Sequence, residues 1–311
     1  MSAGARELAR AVTILRSGGL VAFPTETVYG LGADARNPAA LARLYAVKGR
    51  PTDHPVIVHL AGAASMGEWA AHVPPAASRL AEAFWPGPLT LVVERAAGAP
   101  GAVTGGRATV GLRVPAQPLA LALLERFGGG LAAPSANRFG RVSPTTAGHV
   151  RADLGDDVDL VLDGGPCAVG VESTIVDVTG PVPMVLRHGG VAAEQLAKLL
   201  GGELVTTPTG PARAPGMLAS HYAPTCRVEL ADDGDTARAR RDELVAAGRR
   251  ADVLDPGPNG EAYARHLYGW LREADERGLD VLVVVPPPAE GLGVAVRERL
   301  QKAAAPRTAH E

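Results

Sequence analysis

Lysine is scarce in this 311-residue chain, cysteine is nearly missing, and the usual glycine signatures of nucleotide binding are absent. Of 31 basic residues only Lys48, Lys198 and Lys302 are lysines; the rest are arginines. The two cysteines, Cys167 and Cys226, stand 59 positions apart with no CxxC spacing. No disulfide framework or zinc cluster is readable from them, and each is expected as a small buried residue. The chain contains no GxxxxGK[ST] and no GxGxxG after a strand, which excludes a P-loop and a dinucleotide fingerprint. HExxH and GxSxG are missing too. No window approaches the roughly 18 apolar residues of a membrane span. The N-terminus MSAGARELARAVTILRSGG is charged and amphipathic, without the apolar stretch of a secretory signal. A soluble cytoplasmic protein is expected, with no membrane partner. The formal net charge of −2 argues against gripping nucleic acid by bulk charge.

What is present is enough apolar residue, 46% of the chain, to bury a sizeable core, and a length that favours two domains. Helical spacing over 5–17, 39–48, 75–85 and 118–129 alternates irregularly with apolar strand runs at 20–23, 55–60, 89–94, 109–114 and 131–135. Further strand-turn units fall between 159 and 189, and 191–202 reads as a helix with a glycine stop. YGLGA, 29–33, is too glycine-rich for a helix and reads as a loop that presents hydroxyls. The pattern predicts an α/β domain with a mixed sheet over residues 1–202. Residues 203–225 carry four prolines and little periodicity, and so read as a linker. A βαβαβα order over 226–311 predicts a small parallel-sheet domain.

Polar residues cluster where the apolar strands end. In AVKGRPTDHPVIVHL, 46–60, Lys48 and Arg50 flank a glycine on a bend before a buried strand. The bend is either a solvated turn or a site that aims two cations at one anion. In a chain that uses arginine by default, a lysine here points to a need for a compact ammonium. FPTETVYG crowds Thr25, Glu26 and Thr27 at a strand end, and ATVGLRVP places Arg113 at another. LAAPSANRFGRVSPTT sets Ser135 and Asn137 shortly before Ser143, a pairing of hydroxyls with a helix start that suits phosphate. VESTIVDV brings Ser173 and Thr174, and VLRHGG brings Arg187. Together these cations and hydroxyls suit a triphosphate and a carboxylate-bearing small molecule, handled by positioning and charge stabilisation.

Taken in order, PTETVYGLGADA, KGRP with IVH beyond it, VGLRVP, APSAN with SPTT, STIVDV and LRHG resemble the threonylcarbamoyl-adenylate synthase family, the YrdC-like proteins. APGMLASHYAPT and the second small domain look like its longer two-domain form. The resemblance implies a YrdC-like twisted mixed sheet with helices, a lid-like linker, and a Rossmann-like parallel α/β domain that holds the lid. It also implies a reaction. L-threonine, bicarbonate and ATP combine to threonylcarbamoyl-AMP and pyrophosphate, with Mg²⁺ accompanying ATP and no metal ligands of the protein's own. Partner proteins then move the group to the tRNA adenosine beside the anticodon, with a weak tRNA contact by this chain.

By the same resemblance, Lys48 and Arg50 hold bicarbonate, carbamate and phosphates. Thr27, His59, Arg113, Ala133 and Ser173 lie on the threonine side. Arg50, His54, Thr109, Ser135, Asn137, Ser143, Arg187 and Tyr222 form the ATP set, with Tyr222 closing over the nucleotide. Two positions depart from the family pattern: His54 replaces a frequent asparagine, and Phe139 a small polar residue. A rival reading of the same fold is a double-stranded RNA binder with a basic concave face and no synthase activity. The carbamoyl-transferring relatives in hydrogenase maturation carry zinc-finger cysteine pairs, which this chain lacks.

Overall fold

The computed structural model describes residues 3–202, 204–206 and 222–306. Helix α1 (Ala3–Arg16) leads into β1 (Val21–Phe23), which turns back as β2 (Gly30–Asp34). Most of the stretch 29–33, expected as loop, therefore lies in a strand. Gly32 explains the difference: the Phe23 ring packs so close that a Cβ at position 32 would overlap it, so glycine is what permits the pairing. Helix α2 (Pro38–Lys48) is started by the Asn37 carboxamide, which accepts from the Ala39 and Ala40 amides, and by Pro38 in its first turn. It stops at Gly49 in the left-handed region. Then come β3 (Ile57–His59), α3 (Pro75–Phe84), β4 (Leu89–Glu94), β5 (Thr109–Arg113), α4 (Pro118–Phe127) and β6 (Leu131–Ala132). The run closes with α5 (Ala147–Leu154), β7 (Leu160–Val161), β8 (Thr174–Asp177), β9 (Met184–Arg187) and α6 (Ala193–Leu200).

The nine strands form one mixed sheet in the order β7-β1-β2-β6-β3-β5-β4-β8-β9. One face packs on α2 and α3 through Leu41, Leu44 and Leu80 against Val58, Leu91 and Leu112. On the other face, α1 and α4 cover the β1 and β6 region, with Leu15 and Leu123 against Phe23 and Leu131. Beyond them that face carries only a small apolar group, Ile57, Val92, Ile175 and Leu186, to which no helix contributes among the described residues. The sheet is thus left hollow over β3, β5, β4, β8 and β9. Pleating sends Ile57 and His59 to one side of β3, and the register pairs His59 with Arg113, so both side chains reach the hollow.

A second, parallel sheet follows, from β10 (Arg227–Leu230), β11 (Ala251–Leu254) and β12 (Val281–Val284) in the order β10-β12-β11. It carries α7 (Gly234–Ala246), α8 (Gly260–Glu276) and α9 (Leu292–Ala304). The core formed by α8 and α9 is continuous with the first domain: Val28, Val142 and Val171 pack into it. Arg272 on α8 pairs with Asp153 at 2.6 Å, and Arg265 donates to the Ala168 carbonyl at 2.9 Å. The linker expected at 203–225 lies outside the described residues except for 204–206 and 222–225. Among the described residues, no helix is long and apolar enough to cross a membrane.

Gly170 sits at this junction with φ +83, and a Cβ there would run into the Ala264 carbonyl and the Arg265 backbone of α8. Gly170→Ala is expected to lower stability by about 2 kcal/mol or more through left-handed strain and the clash. Gly67→Ala, where a Cβ meets open space, should shift the urea midpoint little. Equal midpoints for the two variants would contradict the close approach.

Candidate functional site

The hollow encloses roughly 580 Å³, mouth included, and is lined by residues from most of the polar clusters at the strand ends. Thr27, Arg50, His59, Arg113, Ala133, Ser135, Ser173, Arg187 and Tyr222 all face it. The turn after β1 is set by Thr25, whose hydroxyl donates to the Val28 carbonyl at 2.6 Å and lies 2.8 Å from the Thr27 hydroxyl. Arg113, 4% exposed, is gripped by Glu26 at 2.6 Å, while the other Glu26 oxygen accepts from the Ala116 amide at 3.0 Å. One edge of the guanidinium is thereby fixed while the residue still lines the cavity. His59 is buried beside it, and its Nδ1 has no hydrogen-bond partner among the described residues. Burial first, and the neighbouring Arg113 charge second, push the imidazole down to about 3, so it is neutral near pH 7.

At the other end, Arg187 donates through Nε and Nη2 to the Ser173 carbonyl at 3.1 and 2.9 Å, and through Nη2 to its hydroxyl at 3.1 Å. The Ser173 hydroxyl is also 2.8 Å from that of Thr90. Arg50 donates to the Pro55 carbonyl at 2.8 Å and stacks 5.6 Å from the Phe139 ring centroid. Burial lowers the affinity of Arg50 and Arg187 for their protons. Arg50 donates to backbone carbonyls, and Arg187 shares the single Glu172 charge with Arg299, so a positive potential is left in the cavity. Tyr222, 2% exposed, closes the wall with φ 62, a conformation costly for a non-glycine residue by about 1–2 kcal/mol. It stacks on Tyr268 at 5.8 Å.

The profile of the Sua5, YciO and YrdC proteins, described as telomere recombination, matches residues 13–189. A second profile, described as the threonylcarbamoyl-AMP synthase C-terminal domain, matches 191–305. The threonylcarbamoyl-AMP synthase of Pyrococcus abyssi is 40% identical, over 94% of this chain and 92% of its own. That of Bacillus subtilis is 38% identical, over 97% and 94%. This chain belongs to the threonylcarbamoyl-AMP synthase family. The crystal structure of P. abyssi Sua5 complexed with L-threonine superposes with a TM-score of 0.91 at 39% identity, covering 96% of this chain and 94% of that one.

Not every expected residue of this synthase-family chain reaches the cavity. Lys48 does not: it is 2% exposed, and its ammonium donates to the Ser135 and Asn137 carbonyls at 2.5 and 2.6 Å. The bend therefore aims Arg50 at the hollow and Lys48 at the loop behind Ser135, correcting the expectation that both cations point at one anion. Burial, with Arg50 adding to it, holds the Lys48 ammonium well below its ordinary pKa. Asn137 turns its amide nitrogen to the Arg138 and Arg141 carbonyls. Ser143 donates to Glu172 at 2.7 Å and stands behind that residue. Thr109 begins β5 and Arg113 ends it, about 13 Å apart at strand rise, so Thr109 lies at the other end of the strand from Arg113. His54 lies outside the lining and packs edge-on to Phe139 at 5.6 Å, so the two departures from the family pattern touch each other.

Sequence reasoning missed Glu26 as the partner of Arg113, and Glu172 altogether. Glu172 lines the cavity and is 6% exposed. Burial pushes its carboxyl upward, yet Arg299, Arg187 and hydrogen bonds from Ser143 and Tyr268 hold it at about 2. The available signal was Arg299 itself, an arginine on the apolar stripe of α9 with Ala295, Val296, Leu300 and Ala303.

The buried neutral His59 has a pH consequence. Its folded pKa, about 3, lies below the ordinary 6.5, so the unfolded chain takes up the proton first. Its stabilising contribution is complete above pH 6.5 and is lost as pH falls toward 3, at up to about 1.4 kcal/mol per pH unit. Urea titrations from pH 7 to 4 are expected to show a shallower loss for His59→Asn than for wild type. Parallel profiles would contradict the burial of a neutral imidazole.

Proposed function

We propose that this chain makes threonylcarbamoyl-AMP and pyrophosphate from L-threonine, bicarbonate and ATP, for threonylcarbamoylation of tRNA adenosine beside the anticodon. One observation carries the reading: a single hollow gathers Arg113, Thr27 and His59 beside Arg50 and Arg187, in a chain that matches synthases along nearly its whole length. The solved relative complexed with L-threonine supports threonine as the amino acid.

In this reading Arg113, oriented by Glu26, takes the threonine carboxylate, and Thr27, Ala133 and Ser173 border the amino acid. Neutral His59 stands beside the substrate without adding a charge that would repel its ammonium. Once the threonine ammonium has released a proton to solvent, the amine forms a C–N bond to the carbon of bicarbonate, and water leaves. A carbamate oxygen then forms a bond to the α-phosphorus as the bond to pyrophosphate breaks. No covalent protein intermediate is required. Arg50 and Arg187 neutralise charge on the reacting phosphates, and Ser135 and Tyr222 border the nucleotide. Lys48 acts as a positioning residue, fixing the backbone of 135–137 from behind.

Magnesium fits this site as a companion of ATP. Among the described residues no group of three or more His, Cys, Asp or Glu side chains could hold a metal, and Glu172 is already engaged. Phosphate oxygens would carry the ion and the ion would offset their charge; no step above is routed through it. The RNA-binding alternative is disfavoured, because Arg50, Arg113 and Arg187 are 8%, 4% and 5% exposed and so present no basic face.

Pyrophosphate release from ATP is expected to depend on both L-threonine and bicarbonate and to fall strongly with serine. Arg113→Ala should raise KM for threonine at least about tenfold. Lys48→Ala should lower turnover on the order of 100-fold by releasing the loop. Release that ignored threonine would refute the reading.

A further inference from the structure

We propose that Arg299 and Tyr268 of the C-terminal domain are positioning residues of the active site, holding the nucleotide end of the cavity in shape through Glu172 and Tyr222. This inference rests on the synthase reading above and assigns the second domain a specific part in it.

Glu172 lies on the cavity wall, yet two of its three donor side chains come from the other domain. Tyr268 on α8 donates its hydroxyl between the two carboxylate oxygens, at 2.9 and 2.8 Å, and Arg299 on α9 donates through Nε at 3.1 Å. The third donor, the Ser143 hydroxyl, belongs to the first domain. Arg299 then grips two more segments. Its Nη1 donates to the His188 carbonyl at 2.5 Å, and its guanidinium lies 5.4 Å from the ring centroid of Tyr222. Tyr268 stacks on that same ring at 5.8 Å. The two residues therefore hold the chain at Glu172, one position before Ser173, at His188, one position after Arg187, and at Tyr222.

Ser173 and Arg187 are themselves hydrogen-bonded and both line the cavity. Any shift of Arg299 is transmitted to both through a single peptide unit. A guanidinium placed only to dock two domains would need none of these contacts to fall beside cavity residues. Arg299 is 1% exposed, and its Nη2 is buried with no hydrogen-bond partner among the described residues. A second carboxylate would have satisfied that nitrogen; the Tyr222 ring face stands in its neighbourhood instead. Docking is secured elsewhere, by the shared apolar core and the Arg272–Asp153 pair. The Arg299 cluster is thus free to serve the site.

The test uses the full chain. Tyr268→Phe keeps the ring stack and removes the hydroxyl. Arg299→Met combined with Glu172→Gln removes the grip while keeping the net buried charge unchanged, and Arg299→Lys restores the charge without the fork. Pyrophosphate release is measured with ATP and threonine varied in turn, ATP binding by calorimetry, and folding by thermal melts. The expected result is a KM and Kd for ATP raised about tenfold in Tyr268→Phe, more in the double variant and less in Arg299→Lys. KM for threonine should rise less than that for ATP, because Ser173 alone of the threonine-side residues is reached, and melting should stay within a few degrees. Wild-type ATP affinity and turnover in Tyr268→Phe would overturn the proposal, as would losses that follow only the unfolded fraction. If the double variant failed to fold, Tyr268→Phe alone would decide. If the wild type bound ATP but released no pyrophosphate, the synthase reading would fail while the calorimetric comparison still judged this inference.

Discussion

Three guanidinium groups, those of Arg50, Arg113 and Arg187, are buried around one hollow at the ends of strands. Removing such charges from water is expensive unless each finds compensation. Arg113 finds it in Glu26. Arg50 and Arg187 lean on backbone carbonyls and a hydroxyl, which satisfy N–H groups without cancelling charge. Glu172, also on the cavity wall, is shared between Arg299 and Arg187, so two guanidinium groups lean on one negative charge. The cavity is therefore built with a deficit of negative charge, and a carboxylate together with phosphates completes it. The remaining features of the molecule serve to keep that deficit in place while the ligand is away.

The fold does this by leaving its sheet half covered. Helices α1 and α4 shield the β1 and β6 region, and the hollow opens where their cover ends. Loops at strand ends bring the polar residues in, and each loop is fixed from behind: Thr25 sets the first turn, Lys48 the 135–137 loop, and Arg187 the Ser173 backbone while Thr90 meets its hydroxyl. Tyr222 completes the wall, backed by Tyr268 and Arg299 of the C-terminal domain. Its core includes Val28, Val142 and Val171 of the first domain, so the two units share apolar contacts and are not merely tethered by a linker.

Strand and helix positions were legible wherever an apolar run met a clear stop, as at 89–94, where the strand matches the run, and at 39–48, where Asn37 and Gly49 bracket the helix. Residues 30–34 were not legible as a strand. Their pairing depends on Phe23 folding over glycine, a tertiary fact with no local signature. The clusters at strand ends announced a site, and most of their residues do line one cavity. Direction was the part the sequence could not carry. Lys48 and Arg50 are two residues apart yet face different layers, because Gly49 reverses the chain between them. Thr109 shares a strand with Arg113 but lies at its other end. Glu172 and Arg299 were invisible as a pair, being 127 positions apart, although an arginine on the apolar stripe of α9 was a readable anomaly. His54 and Phe139, two separate departures on paper, form one contact in space, with Arg50 stacked against the same ring.

The most direct measurement is a crystal structure of the chain with L-threonine and a non-hydrolysable ATP analogue bound together. The threonine carboxylate is expected against Arg113, beside Thr27 and His59, with the phosphates between Arg50 and Arg187 and Lys48 still on the Ser135 and Asn137 carbonyls. Threonine or nucleotide seated outside this hollow, with the three arginines left without an anionic partner, would contradict it.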